Sequence, residues 1–216
     1  MDLITVDQSL CIRCGRCAAV CPRGLIHLGG QWPQSQVEEL CIACGQCVAV
    51  CPVAALDNRL APLAGQTAAS PSGLTAEAAY QFLRSRRSVR CFKQTPVERA
   101  KLLQLLDLAR LAPSGGNSQG IGYQVIESRA VLGQLTAETV RWMELQVEQG
   151  VAAAKTYAQY AAMYRKMGRD SILRGAPCLV LATATDSFVR ARENSHFTLA
   201  YAELYAPALG LGSCWA

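Results

Sequence analysis

The chain has 216 residues, is 51% hydrophobic and 17% charged, and carries a formal net charge of +5. This composition indicates packed globular structure, excludes a disordered chain, and suits one small plus one medium domain. No apolar run approaches the ~20 residues that span a bilayer, and no basic stripe with interleaved aromatic residues marks a nucleic-acid surface, so neither membrane nor nucleic acid is expected as a partner.

Eight of the eleven cysteines fall in two runs, residues 11–22 and 41–52. Each run reads C-x2-C-x2-C-x3-C-P, and 9 of 12 positions are identical at an offset of 30 residues. Three cysteines two residues apart wrap a tight loop around one iron–sulfur cluster, and the fourth, beside a proline, leaves that loop. Gly15 and Gly45 keep side chains out of the loop, so backbone N–H groups can face the cluster sulfurs. Two rivals are weighed. A zinc ribbon uses paired C-x2-C units but has no use for the third and fourth cysteine. A secreted disulfide framework also uses even cysteine counts, but residues 1–10 are mixed and leave no room for an apolar signal segment.

These runs resemble the bacterial two-cluster ferredoxin family over residues 1–60. The resemblance implies two [4Fe-4S] clusters whose fourth ligands cross over. Cys11, Cys14, Cys17 and Cys51 would hold one, and Cys41, Cys44, Cys47 and Cys21 the other. Each cluster with its thiolates carries about −2, which lowers the charge of the loaded protein to about +1. Low-potential clusters and three further cysteines, Cys91, Cys178 and Cys214, fit a reducing cytoplasm.

Residues 61–75 read as a linker or ordered strap, uncharged through 74 with two prolines and two glycines. Residues 76–216 form the second expected domain. Thr75 caps a helix to about Ser85, with Ala79, Phe82 and Leu83 facing inward. Thr95-Pro96-Val97-Glu98 reads as a capping box opening a helix to about Leu111. Leu102, Leu103, Leu105, Leu106 and Ala109 give that helix a broad buried side. Residues 114–120 form a loop and 121–127 a strand. Helix is expected over 129–135 and about 137–166, an apolar strand over Cys178 to Ala184, and a final helix from about Glu193 to Leu209. Helices alternating with a few strands indicate an α+β or mixed α/β domain.

Arg84, Arg86, Arg87 and Arg90, with Ser85 and Ser88, crowd one short segment. It reads either as a solvated basic helix end or as an anion site, where guanidinium groups pair with phosphate oxygens. In Ala112–Gln119, two glycines permit close backbone approach and Asn117 offers a donor and an acceptor to a flat heterocycle, though the segment alone is also a simple turn.

RRSVRCF (86–92), LLDLARLAPSGGNSQ (105–119), ILRGAPCLVLA (172–182) and APALGLGSCW (206–215) together resemble the FMN-dependent nitroreductase family over about 76–216. The resemblance implies an α+β fold, a homodimer, and FMN at the dimer interface. Arg86, Arg87 and Ser88 would contact the FMN phosphate and ribityl chain, and Arg90 is a further candidate. Asn117 would meet the isoalloxazine edge, with Gln119 nearby. Two departures stand out: Gly120-Ile121 replaces the family's frequent Pro-Trp, and family members continue past the equivalent of Ala216, so the C-terminal part of the domain is expected to be missing. No catalytic acid or base is assigned. Cys91 and Cys214 are expected to be packing residues rather than nucleophiles, and His27 and His196 structural or surface residues. Trp142, Met143, Tyr157, Tyr160, Met163 and Tyr164 either line a substrate opening or form helix core.

The expected function is an iron–sulfur flavoprotein reductase. An external low-potential donor (ferredoxin, flavodoxin or NAD(P)H) feeds the clusters, the clusters feed FMN, and a nitro, quinone or related small molecule accepts the electrons. One alternative is an electron-transfer or sensing protein whose nitroreductase-like domain only dimerises. Reductive dehalogenation or flavin cleavage on the same fold is another.

Overall fold

The computed structural model describes residues 2–68 and 73–216. Residues 69–72 of the expected linker lie outside the described residues. The chain forms two units, one of Met1–Gly73 with Gly116–Ser118 and one of Leu74–Gly115 with Gln119–Ala216. Both combine helices with short antiparallel strand pairs, the α+β class expected from the sequence.

The first unit runs β1 (Ile4–Val6), α1 (Arg16–Val20), β2 (Ile26–Gly29), β3 (Trp32–Ser35), α2 (Gln46–Ala49) and β4 (Leu56–Asn58). The first three elements repeat as the last three, following the sequence repeat. β1 pairs antiparallel with β4, Ile4 opposite Asn58, so the two chain ends of the repeat close on each other. β2 pairs with β3, Ile26 opposite Ser35. Gly15 and Gly45 start α1 and α2 with φ of 74° and 70°, a left-handed turn that a Cβ would disfavour. Leu3, Ile4, Ile26, Val48 and Leu56 pack with Cys17 and Cys47 into one core, so two of the cysteines are held in place by apolar burial. Part of the strap folds onto this unit: Asp57 Oδ1 accepts from Leu63 N at 2.8 Å, and Gln66 Nε2 donates to the Ala61 carbonyl at 2.9 Å.

The second unit runs α3 (Ala76–Ser85), α4 (Arg99–Ala109), β5 (Gly122–Ile126), α5 (Arg129–Glu148), α6 (Ala154–Met167), β6 (Leu179–Thr183) and α7 (Ala191–Tyr205), ending in a short 3-10 turn at Ala206–Leu209. β5 and β6 pair antiparallel from Gly122–Thr183 to Ile126–Leu179. Leu105 and Ala109 of α4 pack on Ala202 and Ala206; small residues let these elements approach closely. α5 and α6 are clamped by Arg165, whose Nε and Nη2 donate to Glu144 Oε1 and Oε2, each at 2.9 Å. No helix among the described residues is long and apolar enough to cross a membrane.

Several local expectations are corrected. Thr75 caps α3, accepting from Ala78 N at 3.1 Å, yet Phe82 and Leu83 are exposed rather than buried. The Thr95–Glu98 capping box does not form; Glu98 is itself the N-cap, its carbonyl accepting from Lys101 N and Leu102 N. Three residues thus separate Thr95 from Arg99, the first helical position, too far for its hydroxyl to cap the helix. Leu103 is exposed, which narrows the buried side of α4 to Leu102, Leu105 and Ala109. The break between the next two helices falls after Glu148 instead of at Thr136, because Thr136 packs in the interior while Gly150 takes φ 67°. Of the six aromatic and methionine candidates, Met143 is core, Trp142 is exposed against Tyr157 at 5.5 Å between ring centres, and the others are half-buried.

Cys91 is exposed, contrary to a packing role, whereas Cys178 is half-buried beside β6. Burial, aided by the nearby Glu127 charge, pushes the Cys178 thiol up to about 11. The thiolate therefore appears only as pH rises toward that value, and at pH 8 about one molecule in a thousand carries it. Brief iodoacetamide treatment at pH 8 followed by peptide mapping will label Cys91 well before Cys178; equal labelling contradicts this burial.

Candidate functional site

The first unit contains two cavities, each walled by four cysteines. One is lined by Cys11, Cys14, Cys17 and Cys51, with Ile12, Pro33, Pro52 and Val53 around them. The other is lined by Cys21, Cys41, Cys44 and Cys47, with Ile42, Pro22, Leu25 and Asn58. Each set takes three cysteines from one run and the fourth from the other. The halves match in detail: Leu25 N donates to Cys21 Sγ at 3.3 Å and Ala55 N to Cys51 Sγ at 3.2 Å. Asn58 adds a side-chain donor in the second cavity, Nδ2 lying 3.6 Å from Cys47 Sγ.

The sulfur arrangement decides which metal chemistry fits. A single zinc ion needs four sulfurs about 2.3 Å from one centre. Among the described residues no three or more His, Cys, Asp or Glu side chains converge on one ion. Each cavity is lined by four cysteines, the number of thiolates that an iron–sulfur cube takes at its corners. All eleven cysteines are free thiols, so a disulfide framework is not what the fold builds. Burial pushes the Cys17 and Cys47 thiols up, and at Cys47 the Asn58 amide opposes that shift. Metal loading must displace these protons, because only the thiolate ligates.

In the second unit, two of the sequence segments meet. Val89 N donates to the Ser213 carbonyl at 2.8 Å, and Ser88 bridges to Ser213 in parallel. Gly212 makes this possible: a Cβ there would stand 2.8–2.9 Å from the branched carbons of Val89, closer than any side chain tolerates. Arg86 Nη1 pairs with Glu203 Oε1 at 2.9 Å, and Glu203 Oε2 accepts from Trp215 Nε1 at 2.9 Å. Arg87 Nη1 donates to the carbonyls of Arg84 and Arg86, each at 2.8 Å, and Arg90 Nη1 reaches the Ser88 carbonyl at 3.5 Å. Among the described residues, Arg86 alone of Arg84, Arg86, Arg87 and Arg90 makes an ion pair. Three guanidinium charges around Ser88 thus lack a carboxylate, which suits a phosphate.

The loop after α4 is tied down by a residue the sequence did not single out. Asn194, buried on α7, accepts from Gly115 N at 3.2 Å through Oδ1. Gln119 is exposed, its N–H donating to Ser114 Oγ at 3.0 Å. Asn117, with φ 54°, belongs to the first unit, where its Nδ2 donates to the Ile42 and Ala43 carbonyls at 2.9 and 3.1 Å. Arg86, Arg87, Ser88 and Arg90 are therefore brought together, while Asn117 is engaged elsewhere. Glu203 was missed as well; a lone glutamate on a helix carries no motif signal.

A family model described as the nitroreductase family matches residues 83–216, and one described as a 4Fe-4S dicluster domain matches residues 4–57. No curated protein matches the chain. Among solved structures, oxidized iodotyrosine deiodinase bound to FMN and 3-iodo-L-tyrosine is 27% identical, with a TM-score of 0.50 over 62% of this chain and 71% of that one. A nitroreductase with bound FMN from Bacteroides fragilis NCTC 9343 is 18% identical, with a TM-score of 0.52 over 62% and 67%. One from Desulfitobacterium hafniense DCB-2 is 22% identical, with a TM-score of 0.50 over 61% and 65%. The last two show likeness of fold.

Replacing Gly212 by alanine will overpack the contact with Val89 at a cost of about 1–3 kcal/mol and lower the thermal midpoint by several degrees. The added substitution Val89→Ala will recover most of that loss, as read by a calorimetric scan. An unchanged midpoint in Gly212→Ala contradicts the close approach.

Proposed function

Because the chain belongs to the nitroreductase family and carries a 4Fe-4S dicluster domain, we propose that it is an iron–sulfur flavoprotein reductase. It takes electrons from an external low-potential donor and delivers them to an electrophilic small molecule of the nitro or quinone class. The observation that carries this reading is the pair of four-cysteine cavities in a nitroreductase-family chain. When bound, two [4Fe-4S] clusters would supply one-electron carriers and FMN would convert single electrons into two-electron transfer.

The chain's own residues then have distinct tasks. Cys11, Cys14, Cys17 and Cys51 hold one cluster, and Cys41, Cys44, Cys47 and Cys21 the other. Arg87 and Arg90 neutralise the FMN phosphate, and the Ser88 hydroxyl fills a remaining acceptor. Arg86 is held by Glu203, so its first task is to fix the segment that presents Ser88 and Arg87. No side chain is given an acid or base role; positioning of the acceptor against the flavin suffices.

Tyr80, Phe82 and Leu83 give α3 an exposed apolar face. This supports a homodimer through the nitroreductase-like domain, in which a second copy covers that face. FMN in the iodotyrosine deiodinase structure, 27% identical, supports the flavin assignment.

Anaerobically prepared protein is expected to contain about eight iron atoms per chain and to release a yellow flavin on denaturation. Iron without flavin supports the electron-carrier alternative instead. Substitution of Arg87 by alanine will weaken FMN binding roughly 10- to 100-fold, the loss of a hydrogen bond to a charged group, measured by flavin fluorescence quenching. Unchanged affinity contradicts the phosphate assignment.

A further inference from the structure

One of the two cysteine cavities, and not the other, is lined by a buried polar side chain, Asn58. The halves of the first unit follow each other at an offset of 30 residues, and their backbone donors to Cys21 and Cys51 correspond. The correspondence fails at the last strand of each half. Leu28 on β2 stands where Asn58 stands on β4. Leu28 is 50% exposed, whereas Asn58 is 3% exposed and lines the cavity of Cys21, Cys41, Cys44 and Cys47.

The Asn58 amide is aimed rather than merely nearby. Its Oδ1 accepts from Leu60 N at 2.9 Å, which assigns the oxygen and leaves Nδ2 facing the sulfurs. Nδ2 lies 3.6 Å from Cys47 Sγ and 4.0 Å from Cys41 Sγ. The backbone is equally fixed, since Asn58 pairs with Ile4 across the β1–β4 ladder. A buried amide whose second group is satisfied by the chain, and whose first points at two thiols, is oriented for N–H···S donation.

We propose that Asn58 is a potential-setting residue: its amide donates to the ligand sulfurs of the cluster held by Cys41, Cys44 and Cys47 and raises that cluster's reduction potential above the value it would have without the donor. The proposal rests on the reading of the cavities as cluster sites. Reduction by a low-potential donor adds one electron to a centre that is already anionic. An N–H dipole directed at its sulfurs withdraws charge and stabilises the added electron. Low exposure keeps water from competing, so the dipole acts in a medium of low dielectric. The amide is neutral and moves no proton, so its contribution is the same across pH. With Leu28 at the matching position, the other cluster lacks this donor and the two are unequal.

The test is an EPR-monitored anaerobic redox titration of the holoprotein, compared with Asn58→Leu, which copies residue 28. Iron and sulfide are assayed on the same samples. The expected result is two reduction waves, of which one moves to lower potential in the variant while the other stays. Where the leucine variant assembles one cluster only, Asn58→Ala carries the same reading, because it removes the donor and adds no bulk to the cavity. Full iron content with both waves unmoved, or with both moving together, overturns the role of Asn58. Wild-type holoprotein without iron and sulfide overturns the cluster sites themselves, and the assay separates the two failures.

Discussion

Each cysteine cavity closes only with a residue from the other half of the first unit, and this crossing is the constraint on which the unit depends. Cys51 completes the set begun by Cys11, and Cys21 completes the set begun by Cys41. Neither half can build its site alone. The β1–β4 pairing, which sets Ile4 opposite Asn58, brings the ends of the repeat together, and the core of Leu3, Ile4, Ile26, Val48 and Leu56 holds Cys17 and Cys47 between the halves. A unit this small has little apolar surface to bury. Metal–thiolate bonds linking both halves would therefore convert cofactor binding into folding free energy.

The second unit solves a different problem, the concentration of positive charge without collapse of the chain that carries it. Glu203 neutralises Arg86 and also accepts from Trp215, so one carboxylate ties the arginine segment to the end of the chain. Gly212 permits the same two segments to run side by side at Val89 and Ser213. Arg87 and Arg90 are left with carbonyl partners only. Their charge is available to an anion, unlike the charge held in a network of closed ion pairs.

Much of this was legible in the sequence, for identifiable reasons. Cysteine spacing is a local covalent property, so the loops at 11–22 and 41–52, each with its glycine, could be read directly. The arginine segment was legible as composition, but its wiring was not. Glu203 lies 117 positions from Arg86, and nothing at short range announces the pair. Helix limits failed where tertiary packing outweighed local signals: Glu98 displaced the Thr95 cap, and a buried Thr136 carried α5 through the expected break. The face of α3 was read as apolar correctly but as buried incorrectly, because periodicity cannot say whether the covering surface belongs to the same chain. Asn58 did leave a trace, the point where the 30-residue repeat replaces an apolar residue with an amide.

The proposed function requires that electrons reach the flavin by way of the cysteine-held clusters. Anaerobic stopped-flow mixing of FMN-loaded holoprotein with a reduced low-potential ferredoxin tests it most directly. The account predicts that iron–sulfur absorbance changes before the flavin bleaches, and that Cys14→Ser and Cys44→Ser variants slow the flavin phase while leaving FMN bound. Flavin bleaching at an unchanged rate in protein stripped of its clusters would contradict it.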